Sequence, residues 1–133
     1  MSMTNPLFTI QRTNTILYCK NWAETVRFYK EKLRLPIILE NDWFVELQQT
    51  DTSFLSIANS ARASISDAQG QGITLTWEVT NIEQAKELLR TQGISTTLIQ
   101  RRWNARVFYC YDPEGHRIEF WEEENGEGVG PDD

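Results

Sequence analysis

The stretch Val107–Trp121, VFYCYDPEGHRIEFW, consists of two short apolar-alternating runs joined by DPEG, and its reading decides the fold. Pro113 suits the second position of a type I turn and Gly115 the last, so the flanking runs form the arms of a β-hairpin. With DPEG as a four-residue turn, Tyr111 pairs with His116, Cys110 with Arg117, Phe108 with Glu119 and Arg106 with Trp121. One face then gathers a carboxylate, two arginines, a thiol and aromatics, which reads as a pocket lining. The other face carries Val107, Tyr109, Ile118 and Phe120 and packs on helices.

Upstream of the hairpin the pattern reads as a strand near Ser95–Gln100, preceded by an amphipathic helix on Ile82, Ala85, Leu88 and Leu89 that ends at Gly93. Asn81 and Gln84 introduce that helix, and the alternating run Ile73–Val79 precedes it. The same order occurs 60 residues earlier. A strand over Thr13–Lys20 leads to Asn21 and Glu24, a capping-box-like start, and to a helix on Trp22, Val26, Tyr29 and Leu33 bounded by Pro36. Strands over Ile37–Glu40, Trp43–Gln48 and Ser53–Ala58 follow. Each half is βαβββ, an internal duplication of α+β class. The predicted organisation is an N-terminal extension (1–12), a first module (13–58), a small polar linker (59–71), a second module (72–121) and a disordered acidic tail (122–133).

At 133 residues the chain is one domain, or two small similar halves sharing a core. Its net charge of −6 is local: the last twelve residues carry six of the nineteen acids and none of the thirteen bases. The body is balanced, and with no basic stripe it is not expected to bind nucleic acid. No apolar run approaches the ~20 residues of a membrane span, and the first residues lack a secretory signal pattern. A cytoplasmic location and no membrane partner are expected. Cys19 and Cys110 lack metal-ligand spacing and read as reduced, half-buried thiols.

NWAETVRFYKEKLRLP and DPEGHRIEF, together with the repeat, resemble the vicinal oxygen chelate superfamily of glyoxalase I, bleomycin-resistance proteins, extradiol dioxygenases and methylmalonyl-CoA epimerase. The resemblance spans about Thr13–Trp121 and places the family's helix-end glycine at Leu35. It implies two βαβββ modules forming a curved mixed sheet around a cleft, protomers that pair into homodimers, and metal ligands from four strand positions. Carried over by spacing, those positions fall on Asn14, Ser56, Thr74 and Glu119. Zinc, nickel, manganese or iron(II) needs about three imidazole, carboxylate or thiolate donors, and three of these four groups are neutral oxygens. The only histidine, His116, points away from Glu119 in the hairpin register. No metal site and no cofactor are therefore expected, unless Glu46 or Glu78 enters the site.

Without a metal, Glu119 is either neutralised by Arg106 or Arg117 on its face or contacts a polar or cationic ligand, with a general-base role as a further option. The candidate ligand-binding set is Asn14, Tyr18, Ser56, Thr74, Trp103, Arg106, Phe108, Glu119 and Trp121, with Glu119 the candidate catalytic residue. The expected function is metal-independent binding of an antibiotic-like or metabolite-like small molecule. The alternative is a divalent-metal lyase, isomerase or dioxygenase, and a third option is a non-catalytic interaction module.

Overall fold

The computed structural model describes residues 4–124, so the predicted acidic tail lies outside the described residues from position 125 onward. The first module comprises β1 (Thr13–Cys19), α1 (Trp22–Arg27) continued by a π-helical turn (Phe28–Lys32), β2 (Ile37–Glu40), β3 (Phe44–Gln48) and β4 (Ser53–Asn59). A 3-10 turn at Ser60–Arg62 opens the connection to the second module. That module comprises β5 (Thr74–Glu78), α2 (Ile82–Thr91), β6 (Gln100–Arg102), β7 (Ala105–Tyr111) and β8 (Arg117–Glu123). The duplication is visible in the topology: sheet orders are β1-β4-β3-β2 and β5-β8-β7-β6, each with one parallel and two antiparallel pairings.

Alternation sorts the strands. Leu17, Cys19, Val45, Leu47, Leu55 and Ile57 of the first sheet enter the same core as Leu75, Phe108, Cys110, Ile118 and Phe120 of the second. Val26, Phe28 and Tyr29 come from the first helical segment and Ile82 and Leu89 from α2, so the helices and both inner sheet faces bury their apolar surface together. Each sheet keeps an outer face turned from this core.

The hairpin register corrects the sequence reading by one residue. Tyr111 pairs with Arg117, Tyr109 with Glu119, Phe108 with Phe120, Val107 with Trp121 and Arg106 with Glu122. The loop holds three residues, Pro113–Gly115: Asp112 and His116 oppose one another, the Gly115 amide donates to the Asp112 carbonyl at 2.9 Å, and Gly115 has φ +106°. A type I turn followed by a left-handed glycine is the common three-residue hairpin, and the extra residue moves each β7 side chain opposite a different partner. Phe108 and Arg106 therefore belong to the inner face and Tyr109 and Val107 to the outer one.

The same turn staples the modules together. Glu114, only 6% exposed, accepts the Lys20 and Asn21 amides at 3.0 and 2.8 Å, at the start of α1. Asp112 Oδ1 accepts the amides of Glu114, Gly115 and His116, and Oδ2 meets the Tyr29 hydroxyl at 2.7 Å and His116 Nδ1 at 2.8 Å. The linker closes on it as well: a Cβ on Gly70 (φ +80°) would lie 2.3 Å from the Gly115 carbonyl carbon. His116 is buried beside Asp112, away from Glu119's face, as its position in the strand implied.

Other local expectations shift. The Asn21 side chain makes no capping hydrogen bond, its role at α1 being taken by Glu114, whereas Asn81 does cap α2 by accepting from the Gln84 amide at 3.0 Å. The left-handed residue after the first helical segment is Arg34 (φ 60°) and not Leu35. The π turn explains the offset, because the Leu33 amide reaches back to the Phe28 carbonyl and adds a residue to the helix end. Strand β6 lies later than Ser95–Gln100, next to a two-residue turn at Trp103–Asn104, and β8 continues through Glu123, so Glu122 and Glu123 are strand residues.

Candidate functional site

The outer face of the second sheet carries a ladder of polar pairs. Parallel pairing sets Thr74 beside Arg117, Thr76 beside Glu119 and Glu78 beside Trp121. Arg117 Nε donates to the Thr74 hydroxyl at 3.0 Å, and its guanidinium lies 4.5 Å from the Tyr109 ring centroid. The Thr76 hydroxyl donates to Glu119. Glu119 thus takes its hydrogen bond from a threonine, and neither predicted arginine neutralises it. Arg106 is on the other side of the sheet, clamped in two hydrogen bonds to Glu83 of α2 (2.6 and 2.9 Å) and 3.5 Å from Glu122. Its hydrogen bonding to Glu83 raises the Arg106 pKa and lowers that of Glu83. Phe108 is fully buried and stacked on Phe120 at 5.0 Å. Arg106 and Phe108 therefore lie on the side of the sheet opposite Glu119.

On the outer face of the first sheet, alternation groups Asn14, Ile16 and Tyr18 with Phe54, Ser56 and Ala58 of β4 and Phe44, Glu46 and Gln48 of β3. Ser56 is buried and donates to Asn14 Oδ1 at 2.9 Å. Arg12 pairs with Glu46 and lies 3.7 Å from the Phe54 ring centroid. The two faces match position for position: Ser56 pairs with Ile16 as Glu119 pairs with Thr76, and Asn14 and Thr74 each lie two residues earlier in the first strand. The expected ligand positions are therefore equivalent in the duplication, with Ser56 at the position that corresponds to Glu119.

Asn14, Tyr18 and Ser56 form one half-set and Thr74, Glu119 and Trp121 the other. No hydrogen bond or ion pair joins the half-sets among the described residues. A cleft of about 650 Å³ runs between the modules along β5, where Thr15, Gln49 and Ser53 approach Thr74, Thr76 and Glu78. Thr74 is the one expected site residue that lines it. Trp103 stands apart at the tip of the β6–β7 turn, 70% exposed and with φ 55°. Thr76 and Tyr109 beside Glu119 were missed by the sequence reading; a three-residue loop in DPEG would have placed Tyr109 there, whereas Thr76 comes from the parallel neighbour β5.

The donor set does not fit a divalent transition metal. Asn14 and Ser56 satisfy one another, Thr74 is engaged by Arg117, and Glu119 is the one anion. Among the described residues no group of three or more His, Cys, Asp or Glu side chains could hold a metal ion. The buried thiols are poor ligands in their own right: desolvation, reinforced by Asp112, pushes Cys110 up to about 12, and desolvation with Glu114 and Asp112 raises Cys19 further.

Two equivalent βαβββ units, a shared core and paired outer faces define a duplicated-module protein of the vicinal oxygen chelate class. The chain belongs to the glyoxalase-like domain family, whose model matches residues 12–124. Solved structures share the fold. A glyoxalase/bleomycin resistance protein/dioxygenase from Nocardioides has 22% identity and TM-score 0.71, over 99% of this chain and 91% of that one. A lactoylglutathione lyase from Agrobacterium tumefaciens has 17% identity and TM-score 0.70, over 90% and 96%. TnmS3, an antibiotic binding protein from Streptomyces sp. CB03234, has 12% identity and TM-score 0.72, over 91% and 100%. No curated protein sequence matches. No described helix is long and apolar enough to cross a membrane.

Proposed function

We propose that this protein binds a flat, polar or cationic small molecule without a metal, using the outer sheet faces as walls. One observation carries the proposal: three of the four positions where relatives would place metal ligands hold neutral groups already hydrogen-bonded to neighbours, while Glu119 stands among Thr76, Tyr109 and Trp121. A carboxylate beside aromatic surface suits a cationic ring system, and the Arg117–Thr74 pair suits its polar substituents. The antibiotic-binding relative lends support at the level of fold. Each chain carries two unlike half-sites, and β1 and β2 are sheet edges with exposed apolar residues, Ile16 on the first and Ile37, Ile38 and Leu39 on the second. A homodimer that brings the first outer face of one protomer to the second outer face of its partner would complete the cleft and cover such edges.

The test is calorimetric titration of chelator-treated protein with a panel of planar cationic and neutral aromatic compounds, with sedimentation analysis of the free and bound protein. Saturable binding that survives chelator and is lost in Glu119→Ala supports the proposal. A melting shift with zinc, nickel, manganese or iron(II) that Glu119→Ala abolishes refutes it and favours a metal-dependent lyase, isomerase or dioxygenase.

A further inference from the structure

The inner side of the second sheet borders a second cavity, remote in face from Glu119. It has a volume of about 340 Å³ and opens where the π turn of the first module meets α2 of the second. Its floor is apolar: Leu33, Leu35, Trp77, Leu88, Leu89 and Phe120. Trp77 is fixed as a wall, its indole N–H donated to Gln49 Oε1 at 2.9 Å and its ring edge-on to Phe120 at 5.4 Å. Leu88 leaves 57% of its surface in water at the mouth, apolar area that no element of the fold covers.

The rim gives the charge of the occupant. Lys32 and Arg34 stand exposed on it, and no Asp or Glu lines the cavity. Among the described residues neither cation has a hydrogen-bond or ion-pair partner, whereas Lys30, Arg90 and Arg106 are held by Glu40, Glu87 and Glu83. In a chain of net charge −6 this mouth is locally positive. The nearby carbonyls at the end of α2 do not offset it: Leu88 accepts the Thr91 hydroxyl, Leu89 the Gln92 and Ile94 amides, and Arg90 the Gly93 amide.

Arg34 adds an independent sign. Its φ of 60° is a conformation that glycine adopts freely and arginine does not, yet the position carries a cation aimed from a fixed backbone. The Leu33 amide bonds the Phe28 carbonyl at 2.9 Å and the Leu35 amide bonds the Tyr29 carbonyl at 3.0 Å, so the mouth is set before any ligand arrives. A residue kept in a costly conformation next to an open apolar cavity marks a place where the side chain is used.

We infer that this cavity is a binding site for a small amphipathic carboxylate, with its apolar chain or ring on the Trp77–Leu88 floor and its carboxylate between Lys32 and Arg34. The volume lies at the lower end of the ~300–1,000 Å³ range of small-molecule pockets, which suits a medium-chain acid and not a long-chain lipid.

The experiment titrates the full-length protein with decanoate, below its micellar concentration, and with decanol and decyltrimethylammonium as uncharged and cationic counterparts. Decanoate binds saturably and both counterparts bind more weakly. Arg34→Gly and Lys32→Gln each weaken decanoate by about three- to fivefold and leave decanol unchanged, the scale of one partly exposed ion pair. Arg34→Gly at the same time raises the melting temperature, because the left-handed backbone suits glycine, so weakened binding cannot be ascribed to misfolding. Glu119→Ala leaves decanoate binding intact, which separates this site from the one proposed around Glu119 on the outer face. Equal affinity for decanoate and decanol, or insensitivity to both rim substitutions, overturns the inference. So does a dimer that Leu88→Glu converts to monomers, since a second copy would then be what covers the cavity.

Discussion

Glu114→Gln is the sharpest probe of the inter-module staple. The wild-type carboxylate accepts two backbone amides, from Lys20 and Asn21, at 3.0 and 2.8 Å, while almost wholly buried. A glutamine of the same shape keeps one carbonyl oxygen and turns an NH2 group toward the other amide. One charge-assisted bond of about 1.5–3 kcal/mol is lost, and the survivor falls to the neutral scale of about 0.5–1.5 kcal/mol. The start of the first helical segment also loses a favourable negative charge, a smaller effect of about 0.5 kcal/mol. The expected loss is about 3 kcal/mol, or roughly 10 °C in melting temperature for a domain of this size. Urea unfolding followed by far-UV circular dichroism measures it, with Glu123→Gln, exposed on β8, as a control expected within ~0.5 kcal/mol of wild type. A Glu114→Gln protein as stable as that control would refute the view that this carboxylate joins the modules.

Three further outcomes are expected. Gly70→Ala should cost more than about 3 kcal/mol, because its Cβ would sit 2.3 Å from the Gly115 carbonyl carbon, whereas Gly72→Ala, at φ +81° with nothing within 4 Å, should cost only ~1–2 kcal/mol; equal losses in thermal melts would dismiss the close approach. Glu119→Gln should change stability by less than ~1 kcal/mol, since its partner is one threonine hydroxyl at a half-buried position, while ligand titration shows a drop of tenfold or more. Stability should also fall at alkaline pH. Cys19 and Cys110 have folded pKa values raised by burial, so above pH ~9 the unfolded chain gives up thiol protons that the native state retains, and each thiol contributes a loss of about 1.4 kcal/mol per pH unit until its folded value is reached. Denaturant midpoints of Cys110→Ala between pH 8 and 11 should decline less steeply than wild type; parallel slopes would count against that thiol.

The fold was legible in the sequence because two independent periodicities agreed: strand alternation fixed the element types, and the 60-residue recurrence of Asn21 as Asn81 fixed their grouping. The site was less so, for a reason that lies in one loop. A turn written DPEG fits either three or four loop residues, and side chains alternate with period two, so a slip of one exchanged Phe108 and Arg106 for Tyr109 and Val107 beside Glu119. Gly115 held the clue, as a left-handed glycine closing a type I turn. The π turn is a different kind of miss, because nothing in FYKEK departs from an ordinary helix, and the turn holds Tyr29, whose hydroxyl is bonded to Asp112 in the other module. Asp112 and Glu114 stand in the sequence simply as members of the DPEG turn; their longer-range partners, Tyr29 and the amides of Lys20 and Asn21, lie more than eighty residues away and are set by tertiary packing.

The duplication is symmetric in its strands but not in its tips. The second module's hairpin reaches across with two buried carboxylates, where the equivalent turn of the first module offers the Gln49 side chain to Trp77, so each half on its own is left with a defined deficit. Residues up to the linker would keep a Tyr29 hydroxyl without an acceptor and two bare amides before α1, and the remainder would keep two carboxylates built to receive them. Such halves have matched vacancies, and separately produced fragments cut within 61–68 would have every reason to reassemble when mixed. The one turn thus acts as an address label by which the first half recognises the second and not another copy of itself.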